Sequence, residues 1–217
     1  MVFVRDPEKG KIKSRLAASL GQEATRKLYR CFVVDLLGNI SEGDYRIAIC
    51  FHPPDSGHAI SEWLGPDYLY APQTGEDLGE RMENAFREAF AGGYLKAALI
   101  GSDLPDLPPD IVEEAFRKLD DCQSVIGPAT DGGYYLIGFR REYFSPVVFD
   151  GIEWGTGSVF GATIRLLHMA GRTVHVLPQW RDMDRIGDLV LLFKRHINTD
   201  FAGSRTMSFL RPLRKLI

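Results

Sequence analysis

Asp103, Asp131 and Asp184 are the residues whose positions in this sequence most readily suggest chemistry. Each stands in a turn beside an expected strand, where side chains distant in sequence can converge. Asp103 follows the apolar run Ala97–Ile100, which has the look of a buried strand, and sits in the small-residue turn Gly101-Ser102-Asp103-Leu104-Pro105. In an open α/β sheet, ligands bind outside the carboxyl ends of the strands, so Asp103 is expected on that rim. A carboxylate there can hold Mg2+ or Mn2+ and, through it, a diphosphate. The alternative is that Asp103 only caps the helix expected to begin at Pro109. Asp131 opens the Gly-rich turn Asp131-Gly132-Gly133-Tyr134, and Asp184 closes the acidic turn Arg181-Asp182-Met183-Asp184.

A complementary positive loop follows the first expected strand: Gly10-Lys11-Ile12-Lys13-Ser14-Arg15. A Gly turn presents backbone N–H groups, a Lys supplies a point charge and an Arg a planar fork, which together suit a di- or triphosphate. A solvated basic loop is the other reading. The loop is not a Walker-type P-loop, because Arg5 stands where its first Gly would be and Ile12 where its Ser or Thr would be. No GxGxxG follows a strand, which disfavours a dinucleotide site. His52, His58, His168, His175 and His196 have no paired metal-ligand spacing and are expected to be structural or at the surface.

The elements that must position these loops alternate. Strands are expected at Val2–Val4, Tyr45–Phe51, Tyr68–Ala71, Ala97–Ile100, Ser124–Gly127, Tyr134–Phe139 and Thr173–Leu177. Helices are expected at Gln22–Leu37 (closed by Gly38), Gly57–Leu64, Glu76–Phe90, Pro109–Leu119, Thr156–Ala170 and Ile186–His196. In the third of these, Leu78, Met82, Ala85, Phe86 and Ala89 share one stripe, expected to be buried. Alternation of strand and helix implies an α/β fold, a mainly parallel central sheet with helices on both faces. The 217 residues show no composition break, so one domain over 1–217 is expected. The formal net charge of −3 argues against a nucleic-acid partner. Cys31, Cys50 and Cys122 lack any CxxC spacing, and no apolar run reaches membrane-spanning length, so a cytoplasmic protein with reduced thiols is expected. The basic tail Ser204–Ile217 is expected to be solvated or packed on a partner, and the sequence is silent on oligomeric state.

Four ordered motifs extend these observations: Pro7-x-x-Gly10-Lys11-x-Lys13-Ser14-Arg15-Leu16; Gln73-x-Gly75-x-Asp77-Leu78-Gly79-Glu80-Arg81-Met82; Gly101-Ser102-Asp103-Leu104-Pro105; and Gly127-Pro128-Ala129-x-Asp131-Gly132-Gly133-Tyr134-Tyr135. With Trp154-Gly155-Thr156 and Asp182-Met183-Asp184, the chain resembles a glycosyltransferase-A-like family of small, uncharacterised bacterial nucleotide-diphospho-sugar transferases. That family is related to the enzymes that guanylylate phospholactate and molybdopterin. The resemblance implies the Rossmann-like fold of that family. It implies that Gly10, Lys13 and Arg15 meet the nucleotide phosphates, and that the loop with Gln73, Gly75 and Gly79 lies against base or ribose. It further implies that Asp103 and Asp184 hold the metal, while Asp131 works beside Gly132, Gly133, Tyr134 and Thr156 on the sugar or acceptor side. The activity implied is metal-assisted transfer from a nucleotide sugar to an acceptor that the sequence does not identify. The Asp-x-Asp of many glycosyltransferases is missing at Asp103, where Gly101 stands two residues before it. Nucleotidyl transfer from a nucleoside triphosphate, with release of pyrophosphate, is therefore the rival reading. A catalytically silent nucleotide-binding module is a third.

Overall fold

Along β4 (Lys96–Gly101) successive side chains go to opposite sides of a sheet. Ala98 and Ile100 join one buried cluster, and Ala97 and Leu99 join another. A strand buried on both faces must lie near the middle of a covered sheet. In the computed structural model, which describes residues 1–10 and 12–214, it does. Lys11 of the basic loop and residues 215–217 of the basic tail lie outside the described residues.

The sheet has seven strands in the order β3-β2-β1-β4-β6-β5-β7. β1 (Val2–Arg5) runs parallel between β4 and β2 (Ala48–His52), with Val2 opposite Ile100 on one side and Ile49 on the other. β3 (Leu69–Pro72) extends the parallel array past β2, and β7 (Val174–Val176) pairs parallel with β5 (Ser124–Pro128). Only β6 (Tyr134–Arg140) runs against its neighbours, β4 and β5, and the sheet is mainly parallel as expected. The reversal of β6 shapes the site. Its first residues lie beside the end of β4, with Leu136 opposite Ile100, so the turn entering β6 and the turn leaving β4 share one rim.

Helices cover both faces. α1 (Ser14–Leu20), α2 (Gln22–Ile40), α3 (Gly57–Leu64), α5 (Pro109–Asp121), α7 (Ile186–His196) and α8 (Arg205–Leu210) contribute Leu16, Leu28, Phe32, Ile60, Leu119, Leu189 and Leu210 to one core. α4 (Leu78–Ala91) and α6 (Val159–Met169) build the other, around Phe86 and Leu167. Phe86 meets Phe139 of β6 edge-on at 5.0 Å. Local chemistry sets several helix starts. Pro109 begins α5, where its missing N–H leaves nothing unpaired. Asp77 caps α4 by accepting from the Glu80 N–H at 2.9 Å, and the Glu80 carboxylate accepts from the Glu76 N–H.

Four expectations are corrected. Gly38 does not end α2: the helix runs on to Ile40, because Leu37 and Ile40 are buried and Asn39 donates to the carbonyls of Pro105 and Leu107, tertiary contacts that outweigh the weak glycine propensity. The second strand starts at Ala48 rather than Tyr45, whose ring leaves the sheet to stack on Phe116 of α5. α6 starts at Val159, not Thr156, since Gly155 is left-handed and the Thr156 hydroxyl donates to the Glu153 carbonyl. Leu78 is not buried with Met82; it stands 42% exposed, and it faces a cleft. In the tail, α8 packs on α2, Asp35 accepting from the Arg205 and Thr206 N–H groups.

The rim loops are pinned by one buried side chain. The Asp106 carboxylate, only 1% exposed, accepts from Trp180 Nε1 at 3.1 Å and from Arg195 at 3.4 Å, and it bonds His196 Nε2 at 2.9 Å. Asp106→Ala should cost about 3 kcal/mol of stability, because three polar partners lose a buried counterpart at once. Urea denaturation of variant and parent measures it, and a loss below about 1 kcal/mol would deny Asp106 this pinning role.

Candidate active site

The rim holds a cleft of about 980 Å³. Three loops at this edge of the sheet meet there through their backbones. The Met183 N–H donates to the Asp103 carbonyl at 2.9 Å, and the Thr130 N–H donates to the Trp180 carbonyl at 3.1 Å. The chain after β4, the chain after β7 and the β5–β6 turn are thereby fixed together. Into this frame comes the segment between β1 and α1, which carries Lys13 and Arg15.

Lys13 is the one non-glycine residue with a positive φ among the described residues, at φ 46° and ψ 54°. This left-handed backbone costs about 1 kcal/mol or more for an L-residue. It accompanies a side chain that is only 9% exposed and lies within the cleft. The ammonium is 2.6 Å from Asp103 Oδ2 and 3.7 Å from Asp184 Oδ1. Burial alone would lower the Lys13 pKa, but the Asp103 charge and hydrogen bond, with help from Asp182 and Asp184, outweigh it and hold the pKa above the ordinary lysine value. Arg15 reaches the other oxygen of Asp184 at 2.5 Å from the solvent side. That hydrogen bond and charge raise its pKa further, so it is always cationic. The Asp103 side chain does not cap α5, whose first turn has Pro108 as its cap residue and receives no side-chain bond.

Asp184 is itself held by the start of α7, where the Asp188 carboxylate accepts from the Asp184 and Arg185 N–H groups and pairs with Arg181. Beneath Asp103, the buried Tyr29 hydroxyl accepts from the Arg5 N–H at 2.9 Å and shares a hydrogen bond with Ser102 Oγ at 2.8 Å. Tyr29 thus ties α2 to the ends of β1 and β4, and burial keeps its hydroxyl protonated. Asp131 lines the cleft as well, with Oδ1 accepting from the Gly133 N–H at 2.9 Å to fix the turn.

Of the residues singled out by sequence, Lys13, Arg15, Gln73, Asp103, Asp131, Gly133, Tyr134, Thr156 and Asp184 all line this cleft. Gln73 is buried and commits its amide N–H to the Cys50 carbonyl at 2.7 Å. Gly10, Gly75, Gly79 and Gly132 do not line the cleft; the last three pack closely behind its walls. A Cβ on Gly75 would meet Glu80 Cβ at 2.7 Å, one on Gly79 would meet the Trp154 indole at 3.0 Å, and one on Gly132 would strike the Gly157 carbonyl oxygen at 2.2 Å. Gly10 turns at φ +86° in open space. Sequence reasoning passed over Tyr29, for which an amphipathic helix position gives no signal. It also gave Asp182 no separate role, although the alternation Asp182-x-Asp184 was visible. Burial is the main cause that pushes the Asp182 carboxyl up to about 6, the charge of Asp131 adding to it and that of Lys13 opposing it. No group of three or more metal-ligating side chains forms a preassembled cage among the described residues.

The comparisons agree with the motifs. Residues 39–156 match the family described as uncharacterized protein conserved in bacteria (DUF2064), and the chain belongs to it. A crystal structure from Desulfovibrio desulfuricans G20, of a protein provisionally named nucleotide-diphospho-sugar transferase, is 42% identical and aligns over 99% of this chain and 94% of its own, with a TM-score of 0.95. A nucleotidyl transferase from Methanothermobacter aligns over 89% of this chain and 95% of its own at 13% identity and TM-score 0.60. CMP:2-keto-3-deoxy-manno-octonic acid synthetase, solved with CTP, aligns over 88% and 94% at 13% identity and TM-score 0.50. The latter two share the fold. A search of curated proteins gives no match. No helix among the described residues is long and apolar enough to cross a membrane.

Gly132 offers the sharpest test of the frame. Gly132→Ala meets both a left-handed backbone at φ +90° and the Gly157 oxygen, so it should destabilise by about 2 kcal/mol and displace the turn that carries Asp131. Thermal unfolding, with a crystal structure of the variant, checks both; an unmoved turn at parental stability would mean that Gly132 is not what sets the position of Asp131.

Proposed function

We propose that this chain is a nucleotide-dependent transferase that moves a glycosyl group from a nucleotide-diphospho-sugar to an acceptor. One observation carries the reading: a cationic pair and two rim carboxylates, from three separate loops, converge at one end of a cleft large enough for a nucleotide. Lys13 and Arg15 take the diphosphate, Lys13 as a point charge and Arg15 as a fork. Asp103 and Asp184 would hold Mg2+ or Mn2+. They already fit a small cation, since both reach the Lys13 ammonium, and magnesium sites commonly use one or two carboxylates with phosphate oxygens and water. When bound, the ion neutralises the diphosphate and the charge developing on the leaving nucleotide.

In the same cleft, Asp131 accepts the proton of the attacking acceptor, and Gly133, Tyr134 and Thr156 wall the sugar and acceptor side. The loop from Gln73, with Gly75 and Gly79 behind it, receives base or ribose. The provisional name of the 42% identical relative, a nucleotide-diphospho-sugar transferase, supports a nucleotide-sugar donor. Nucleotidyl transfer is favoured by a different feature, the lone Asp103 with Gly101 in place of a second acid, combined with a Lys and Arg suited to a triphosphate. Pyrophosphate release on incubation with nucleoside triphosphates and phosphorylated acceptors would mark that reaction.

Calorimetric titration with UDP and GDP, each with and without Mn2+, tests the donor site. Binding should need the metal, and Asp103→Asn, which keeps shape and loses charge, should weaken it roughly tenfold or more. Equal affinity in chelator would remove the metal from the reading. Arg15→Ala should lower nucleotide affinity about tenfold with little change in melting temperature, and Arg15→Lys should recover only part of the loss if the contact is bidentate. Parental affinity in Arg15→Ala would exclude the phosphate role.

A further inference from the structure

The ammonium of Lys13 stands where the proposed function needs a metal. It lies 2.6 Å from Asp103 and 3.7 Å from Asp184, the two carboxylates that the resemblance and the geometry both offer to a divalent ion. A cation bound to both carboxylates at about 2.0 to 2.2 Å from their oxygens would share that space with Nζ, and like charges so close repel each other. Lys13 and a metal therefore cannot occupy this point together. Nor is Lys13 a side chain that happens to lie there. Its backbone is left-handed, its side chain is nine-tenths buried, and its pairing neutralises carboxylates that would otherwise repel each other. Arg15 holds the outer oxygen of Asp184 and is more than half exposed, so it can keep that place when the inner cation changes.

We propose that Lys13 is the resident counter-ion of the Asp103–Asp184 pair and is exchanged on ligand entry: a divalent cation takes the inner point while the displaced ammonium moves onto the incoming phosphates. No bond is made or broken; one paired cation is replaced by another, and the released charge is passed to the phosphate group that accompanies the metal. This rests on the reading of Asp103 and Asp184 as metal ligands. It adds that metal and diphosphate bind with positive cooperativity, because each alone would leave either a displaced ammonium or an uncompensated phosphate. It also makes Lys13 a discriminator: the empty site resists metal alone and accepts it with a diphosphate.

The test uses Mn2+ and inorganic pyrophosphate, which need no knowledge of base or sugar. Free Mn2+ is followed by its electron paramagnetic resonance signal in titrations of the parent and of Lys13→Met. In the parent, Mn2+ alone should bind weakly and pyrophosphate should tighten it at least tenfold. In Lys13→Met, Mn2+ alone should bind at least tenfold more tightly than in the parent, and the gain from pyrophosphate should shrink. If removing the lysine destabilises the empty pair, Lys13→Gln gives the same comparison, and Mn2+ should raise the melting temperature of either variant more than that of the parent. Metal binding in the parent with pyrophosphate, together with no tightening in either variant, would overturn the exchange and leave the metal ligands standing. Absence of Mn2+ binding in every protein, with pyrophosphate present, would overturn both.

Discussion

The candidate site depends on a carboxylate that never enters it. Asp106 is buried three residues beyond Asp103 and binds the Trp180 indole, Arg195 and His196. Trp180 precedes the turn that carries Asp184, and its carbonyl receives the Thr130 N–H of the turn that carries Asp131. A single buried acid therefore sets the spacing between the loops that follow β4 and β7, and through Trp180 it reaches the loop between β5 and β6. Loops tolerate variation where they are solvated, but side chains that must share one ion or one phosphate cannot drift by an ångström without loss. Satisfying Asp106 on several sides removes that freedom, as Asn39 does from α2 by binding the carbonyls on both sides of Asp106.

Electrostatics then decides what the pinned loops hold. Asp103 and Asp184 are brought together with Asp131 and Asp182 near by, an arrangement that nearby positive charge stabilises. Lys13 supplies it from a backbone conformation that an L-residue adopts only under constraint, and Tyr29 braces the loop behind Asp103 through Ser102. Strain and buried charge occur together where the sheet's carboxyl edge opens into a cleft.

Much of this was legible in the sequence because it rests on short-range rules. α3 and α7 have the bounds predicted for them, and β1 to β5 each end one residue beyond the predicted end. The rim acids were recognisable because a strand end followed by Gly, Ser and Asp is a local pattern. What escaped was decided at a distance. Gly38 is read through because Asn39 has partners on another loop; Leu78 faces the cleft because α4 turns that end of its stripe past the core; Tyr29 looks like any core aromatic until β1 and β4 are laid beside α2. Periodicity reports which face is apolar, and it carries no word of what that face meets.

The antiparallel course of β6 explains why both halves of the proposed chemistry can share one rim. A parallel strand after β5 would carry its entry turn to the far edge of the sheet, opposite Asp103. Because β6 runs the other way, Leu136 pairs with Ile100 and the turn Asp131–Gly133 opens on the same side as Asp103 and the loop after β1. The donor's phosphates and the acceptor's nucleophile then need no movement of the sheet to meet. On the proposed reading, glycosyl and nucleotidyl transfer ask the same of these residues: Lys13 and Arg15 would hold phosphates, and Asp103 and Asp184 would hold the ion that neutralises them. They differ in which electrophilic centre, anomeric carbon or α-phosphorus, lies in line with the acceptor beside Asp131. The in-line geometry of either reaction would therefore depend on the depth at which the phosphates sit between the loop after β1 and the turn before β6, as well as on the charged residues that hold them.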